Sequence, residues 1–222
     1  MSRCWFVTGT DTGIGKTHAC VALLGALRAA GCRAMGMKPV ASGCEPVDGA
    51  WLNDDAQRLI GASAVAAPYA LVNPYAFPEP VSPHIAAARS GQSIDLARVI
   101  EAARALLEMG ELLVVEGAGG WLSPVAKDLW QADIARALQA PVILVVGLRL
   151  GCINHALLSA RAIEGDGCRL AGWIGNHIDP RLDASDEVID TLAGSLRAPC
   201  IGVLPWGVED ASGALNLAKL QY

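Results

Sequence analysis

The 222-residue sequence has no cluster of Lys and Arg, no apolar stretch of membrane-spanning length, no Cys-x-x-Cys pair and no internal repeat. Each absence removes a class of function. With 17 basic against 22 acidic residues and a net charge of −5, the chain offers no positive field for nucleic acid or an anionic membrane surface. Its longest continuous apolar strand-like run, residues 142 to 146, falls far short of a bilayer span. The seven cysteines (Cys4, Cys20, Cys32, Cys44, Cys152, Cys168 and Cys200) are odd in number and lack metal or redox spacing. They read as reduced, mostly buried thiols of a cytosolic protein, with no supporting signal for a catalytic one. No signal sequence is expected, because a glycine-rich loop begins already at Gly9.

What is present is apolar and small. A composition of 53% hydrophobic and 18% charged residues is too apolar for disorder, and plentiful Ala and Gly suit helices packed closely on a sheet. The length predicts one domain over residues 1–222. Apolar runs alternate with helical patterns, which predicts an α/β fold with a mainly parallel sheet and helices on both faces. Strands are expected at residues 3 to 8, 33 to 38, 111 to 116, 141 to 147, 170 to 175 and 200 to 204. Several are apolar on successive residues, the mark of strands covered on both sides. Helices are expected at 17 to 30, closed by Gly31, and at 54 to 61, 94 to 109, 128 to 139, 153 to 165 and 185 to 197. Five prolines between residues 68 and 83 (Pro68, Pro74, Pro78, Pro80 and Pro83) predict a shaped loop there.

The run Gly9-Thr10-Asp11-Thr12-Gly13-Ile14-Gly15-Lys16-Thr17 lies between an apolar strand and a helix. Such a turn directs backbone N–H groups and the positive end of a helix dipole at one spot, where phosphate binds. Lys16 can reach the β- and γ-phosphates of a nucleotide, and the Thr17 hydroxyl can ligate Mg²⁺. The first glycine stands one residue further back than in the common form of this loop. In parallel sheets ligands bind outside the carboxyl ends of the strands, and two other strand ends carry chemistry. Lys38, fixed by Pro39, is poised for a phosphoryl group or an anionic intermediate, the alternative being a lysine that snorkels to solvent. Ser42 in the following loop can donate to the same anion or serve only its turn. Glu116 follows four apolar residues and precedes Gly117, Ala118, Gly119 and Gly120, a position from which phosphate-loop enzymes hold Mg²⁺. Asn53-Asp54-Asp55 opens a helix, so one carboxylate can cap it while the other joins the metal. Histidines 18, 84, 155 and 177 lack metal-ligand spacing and default to structural roles. Trp206 either stacks on a base or fills a gap beneath a loop.

These segments resemble the dethiobiotin synthetases, ATP-dependent enzymes that close the ureido ring in biotin synthesis. The resemblance covers nearly the whole chain. It rests on Val7-Thr8-Gly9-Thr10-Asp11-Thr12 with Gly15-Lys16-Thr17, on Lys38-Pro39-Val40-Ala41-Ser42-Gly43, on Asn73-Pro74-Tyr75 and on Ser82-Pro83-His84. Further matches are Val115-Glu116-Gly117-Ala118-Gly119-Gly120, Gly151-Cys152-Ile153-Asn154-His155 and Pro205-Trp206.

The resemblance implies 7,8-diaminopelargonic acid, CO₂ and ATP as substrates, Mg²⁺ as cofactor, and carbamate and carbamic-phosphoric anhydride intermediates. Lys16 and Lys38 would be catalytic, with Thr12 and Ser42 on the substrate. Thr17, Asp55 and Glu116 would hold Mg²⁺. ATP would meet Gly13, Ile14, Gly15, Lys16, Thr17 and His18, then Asp55, Glu116, Gly117, Ala118 and Gly119, and finally Asn176, His177, Pro205, Trp206 and Gly207, with Asn176 reading the adenine. Gly151, Cys152, Ile153 and Asn154 would bind the substrate carboxylate across a homodimer interface through backbone N–H groups at a helix start. Two positions depart from the family pattern: Gly13 stands where some members have Glu, and His177 where an acidic residue is common.

A rival reading is a partition-type ATPase acting as a nucleotide switch. Those proteins carry a further signature lysine five residues before the loop lysine, and here that position is Asp11. A cobyrinic-acid amide synthase would need a glutaminase domain, for which 222 residues leave no room.

Overall fold

The structure, a computed structural model, describes residues 3–220. Six strands form one parallel sheet: β1 (Cys4–Gly9), β2 (Ala34–Met37), β7 (Leu112–Gly120), β10 (Val142–Leu148), β11 (Leu170–His177) and β12 (Cys200–Leu204). Their spatial order is β12-β11-β10-β1-β7-β2, every neighbouring pair being parallel. All six coincide with the apolar runs of the sequence. In β10, Val142, Leu144, Val146 and Leu148 enter one core and Ile143 and Val145 the other, because successive side chains of a strand point to opposite faces. That is why the run carries no polar alternation.

Helix α1 (Lys16–Ala29) covers one face with Ala19, Cys20, Leu23, Leu24 and Leu27. The opposite face is covered by α5 (Leu96–Met109), α6 (Gln131–Ala137), α7 (Cys152–Gly165) and α8 (Ser185–Ser195). Among the larger buried side chains, Trp5 belongs to the α1 side and Phe6 and Trp173 to the other. None of the seven cysteines is in a disulfide, and four of them are buried. No helix among the described residues is long and apolar enough to cross a membrane.

The proline-rich segment is more ordered than a loop. It contains α3 (Tyr69–Val72), β6 (Tyr75–Phe77), which pairs in parallel with β3 (Val40–Ser42) in a separate two-stranded sheet, and the start of α4 (Pro83–Arg89). Its prolines stand where the ring is tolerated. Pro68 is the residue before α3, Pro74 precedes β6, and Pro83 opens α4, a position whose N–H has no helical partner in any case. Two hairpins also escaped the sequence reading: β4 (Glu45–Val47) with β5 (Ala50–Leu52), and β8 (Pro124–Ala126) with β9 (Leu129–Trp130). The second hairpin occupies the first residues of the helix expected at 128, so α6 begins only at Gln131.

The strand expected to stop at Glu116 continues to Gly120. From Val7↔Glu116 the pairing with β1 resumes at Gly9↔Gly120, so β7 advances four residues while β1 advances two. The extra chain carries Gly117, Ala118 and Gly119 past the start of the phosphate loop. Because β7 lies between β1 and β2, the carboxyl ends bearing the loop, Glu116 and Lys38 stand side by side.

Candidate active site

The loop after β1 turns through Gly13 and Gly15, both at positive φ, and Gly15 is the residue before α1. A side chain at Gly15 would suffer twice: φ is +81°, and a Cβ would lie 2.1 Å from Asn176 Nδ2. The same amide of Asn176 donates to the carbonyl of Ile14 at 2.8 Å, fastening the loop to the end of β11. Lys16 folds back over the loop, its Nζ donating to the Asp11 carbonyl at 2.9 Å. Burial and the nearby Lys38 ammonium lower the Lys16 pKa to about 8. Asp11 accepts from the Thr12 N–H and pairs with Arg149 at 2.8 Å. The position that carries a lysine in partition-type ATPases is therefore an acceptor here.

Lys38 does not snorkel. It is 5% exposed, and its Nζ donates to Asp55 Oδ2 at 2.9 Å and to Glu116 Oε1. Burial alone would lower its pKa, but the two carboxylates outweigh that and raise it. The register Met37↔Val115 explains the Glu116 contact, since Lys38 and Glu116 are the next residues along two paired strands. Asp55 arrives from α2 (Asp54–Ala62). Its own burial would raise its pKa, but the Lys38 ammonium holds it below the usual carboxylate value. The cap of α2 is neither carboxylate: Asn53 Oδ1 accepts from the Ala56 N–H at 3.2 Å, while Asp54 is exposed.

Thr17 Oγ1 donates to Glu116 Oε1 at 2.9 Å. The other oxygen, Glu116 Oε2, is buried and has no hydrogen-bond partner among the described residues. A buried, unpartnered carboxylate oxygen beside a hydroxyl and a second carboxylate fits a hard divalent cation. Mg²⁺ in particular takes one or two carboxylates alongside phosphate oxygens and water.

These groups line a cleft of about 660 Å³. Of the residues singled out from sequence, it brings together Thr12, Gly13, Gly15, Lys16, Thr17, His18, Lys38, Ser42, Asp55, Glu116, Ala118 and Gly119. An adjoining cavity of about 350 Å³ gathers Asn176, His177, Pro205, Trp206 and Gly207 and shares Gly13, Gly15 and His18 with the first. Trp206 is 57% exposed there, so it does not fill a gap beneath a loop. The two cavities thus adjoin across the loop, the Lys16–Lys38 pole in one and an aromatic side chain and a side-chain amide in the other.

Other expected residues stand apart from these cavities. The Ile14 side chain is buried in the core, and Gly117 is buried against Phe6 and Gln131. Gly151, at φ +92°, and Asn154 are exposed at the start of α7, while Cys152 is buried and its N–H donates to the Arg149 carbonyl. The N–H groups of Ile153 and Asn154 belong to a first helical turn, which has no internal acceptors. Sequence reasoning missed Arg58, which lines both cavities, and Asn53, Pro80, Ser82 and Ser123, which line the larger one. Arg58 was detectable in principle, because a residue three beyond Asp55 shares its helix face.

A family model described as an AAA domain matches residues 3–209. The chain is 52% identical over 215 residues to the ATP-dependent dethiobiotin synthetase BioD of Xanthomonas euvesicatoria, covering 96% of each chain. It is 51% identical to the protein of the same name from Xanthomonas oryzae, covering 98% of this chain and 96% of that one. Among solved structures, the MinC:MinD cell division protein complex of Aquifex aeolicus aligns with a TM-score of 0.56 at 17% identity, over 96% of this chain and 91% of that one. At that identity the likeness shows the phosphate-loop ATPase fold alone. Identity near one half along almost the full length is a different matter, and with it the chain belongs to the ATP-dependent dethiobiotin synthetases, ligases built on a phosphate-loop domain.

Proposed function

We propose that this chain closes the ureido ring of dethiobiotin from 7,8-diaminopelargonic acid, CO₂ and ATP. One amine of the substrate takes up CO₂ to form a carbamate. A carbamate oxygen attacks the γ-phosphorus, ADP departs, and a carbamic-phosphoric anhydride results. The second amine then attacks the carbonyl carbon, and phosphate leaves with the oxygen that had bridged carbon and phosphorus. Such chemistry asks the protein for positioning and charge neutralisation more than for covalent help.

The observation that carries this reading is the convergence of Lys16 and Lys38 on one cleft, each near enough to influence the other electrostatically. An ammonium has three N–H donors. Asp55 and Glu116 occupy two on Lys38, leaving one for the carbamate or the transferring phosphoryl group. Lys16, on the phosphate loop, serves the β- and γ-phosphates. Thr12 and Ser42 lie on the cleft wall where the diamine would sit, and Trp206 and Asn176 stand where the base would sit. Thr17, Asp55 and Glu116 would hold Mg²⁺, which when bound supplies positive charge to the nucleotide phosphates.

The active unit in this proposal is a cytosolic homodimer. Leu150, next to Gly151, and Leu158, in the middle of α7, are 94% and 55% exposed. Leu150 lies beside the donors that would meet the partner's substrate carboxylate, and Leu158 extends the exposed apolar surface about two turns along α7.

The test is purified protein with ATP, Mg²⁺, bicarbonate and the diamine, followed by mass spectrometry. The cyclic urea should accumulate in step with ADP. ATP hydrolysis without that product would favour the nucleotide-switch alternative.

A further inference from the structure

Lys38 leaves the central sheet immediately after β2 and is followed by Pro39, so the sheet ladder does not fix its backbone. Other groups do. Its N–H donates to the Val72 carbonyl at 2.9 Å, and its carbonyl accepts from Asn73 Nδ2 at 2.6 Å. Asn73 Oδ1 accepts from the Tyr69 hydroxyl at 2.8 Å. The Tyr69 oxygen in turn accepts from the backbone N–H of Asn53, also at 2.8 Å. Asn53 caps α2, and two residues later Asp55 returns to Lys38 Nζ. The hydrogen bonds therefore form a closed ring that begins at the backbone of Lys38 and ends at its ammonium.

We propose that Tyr69 and Asn73 are positioning residues for Lys38: their hydroxyl-to-amide relay sets the offset between the end of β2 and the start of α2, and so aims the ammonium into the cleft. The inference rests on the catalytic reading of Lys38 given above. Neither residue lines the cleft, so neither would touch substrate. Asn73 is 3% exposed, and its amide nitrogen also donates to the Tyr75 carbonyl at 3.2 Å. Both of its donors and its oxygen are thus engaged. Tyr69 donates once, to the Asn73 amide that holds the Lys38 carbonyl, and accepts once, from the N–H of Asn53 at the start of α2. The network is fully satisfied, with Asn53 and Asn73 buried and Tyr69 half-buried, and satisfied networks of this kind are rigid. Catalysis that depends on placement is sensitive to it, since a displacement of about 1 Å can cost on the order of 100-fold.

Tyr69→Phe removes one hydroxyl and keeps the ring volume, while Asn73→Ser breaks the relay at its other end should the first variant fold poorly. In folded protein, each should lower kcat by roughly tenfold or more with KM for ATP changed by no more than about twofold, because the phosphate loop is untouched. A cycle with Lys38→Ala separates positioning from general stability. If Tyr69 acts through Lys38, adding Tyr69→Phe to Lys38→Ala should change kcat by less than about twofold. The proposal is overturned if Tyr69→Phe lowers only the melting temperature and leaves kcat at the wild-type value, or if its effect multiplies fully with that of Lys38→Ala. Wild-type turnover in Lys38→Ala alone would instead remove the reading of Lys38 on which the relay depends.

Discussion

Lys38 Nζ lies 2.9 Å from Asp55 Oδ2, which ties the end of β2 to the first turn of α2 beside the phosphate loop. The pair belongs to a buried group in which Glu116 contacts both Lys38 and Thr17. Charge is therefore concentrated and preorganised at one pole of the cleft, as the proposed phosphoryl transfer requires.

Replacing Lys38 should damage turnover far more than nucleotide binding. Removing one preorganised cationic donor costs about 100- to 1,000-fold in kcat, so Lys38→Ala should lose that much while KM for ATP stays within a few-fold. Lys38→Arg should not restore the rate, because a planar guanidinium does not fit a buried point-charge position between two carboxylates. Steady-state kinetics on both variants decides it, and unchanged turnover in Lys38→Ala would contradict the role.

The neighbouring aspartates separate cleanly. Asp55 faces the cleft and is paired, whereas Asp54 is exposed and absent from the lining. Asp55→Asn should raise the Mg²⁺ concentration for half-maximal rate by tenfold or more, on the order of what loss of a metal-site partner costs. Asp54→Asn should leave it unchanged. A titration showing the reverse order would move the metal site to the other side chain.

Nucleotide affinity should fall as pH rises above about 8. Burial and Lys38 bring the Lys16 pKa down to about 8 in the empty site, and a bound polyphosphate favours the charged form and raises it again. Below pH 8 the ammonium is already protonated, so affinity is flat. Above it, binding must take up a proton, and affinity declines by up to about tenfold per pH unit. Calorimetry with ADP in buffers of different ionisation enthalpy reads the uptake directly. Proton-neutral binding at pH 9 would show that Lys16 stays fully charged in the empty site.

Trp206 should report on the base. It stands with Asn176 in the cavity adjoining the loop and is more than half exposed. Stacking of a base on an aromatic side chain contributes about 1 to 3 kcal/mol, so Trp206→Ala should weaken nucleotide binding by that amount. The nucleotide-induced change in tryptophan fluorescence should largely disappear with it. An intact signal in the variant would place the base elsewhere.

What the sequence disclosed follows from how local each signal is. The six sheet strands were legible because each is a run of consecutive apolar residues, and the phosphate loop because its chemistry is contained within nine residues. The segment from Pro68 to Pro83 was not, since a count of prolines says little when Pro68, Pro74 and Pro83 stand at the edges of elements, where a missing N–H does no harm. The end of β7 was misjudged because a buried carboxylate reads as a strand terminus, yet Glu116 is tolerated within the strand by Lys38 and Thr17, which lie far away in the chain. Spacing alone left Asp54 and Asp55 equivalent; the family resemblance pointed to Asp55, and the approach of α2 to β2 brings that side chain to Lys38. The same applies to Tyr69 and Arg58, whose positions depend on packing between separate elements.

Ring closure as proposed requires the carbamate oxygen to attack the γ-phosphate within the Lys16–Lys38 cleft. Ring closure started with ¹⁸O-labelled bicarbonate, and stopped before the label exchanges with water, tests this in the released phosphate. One labelled oxygen per phosphate is expected, carried from carbon to phosphorus as the anhydride forms and breaks. Phosphate that contains no label while the cyclic urea accumulates would contradict it.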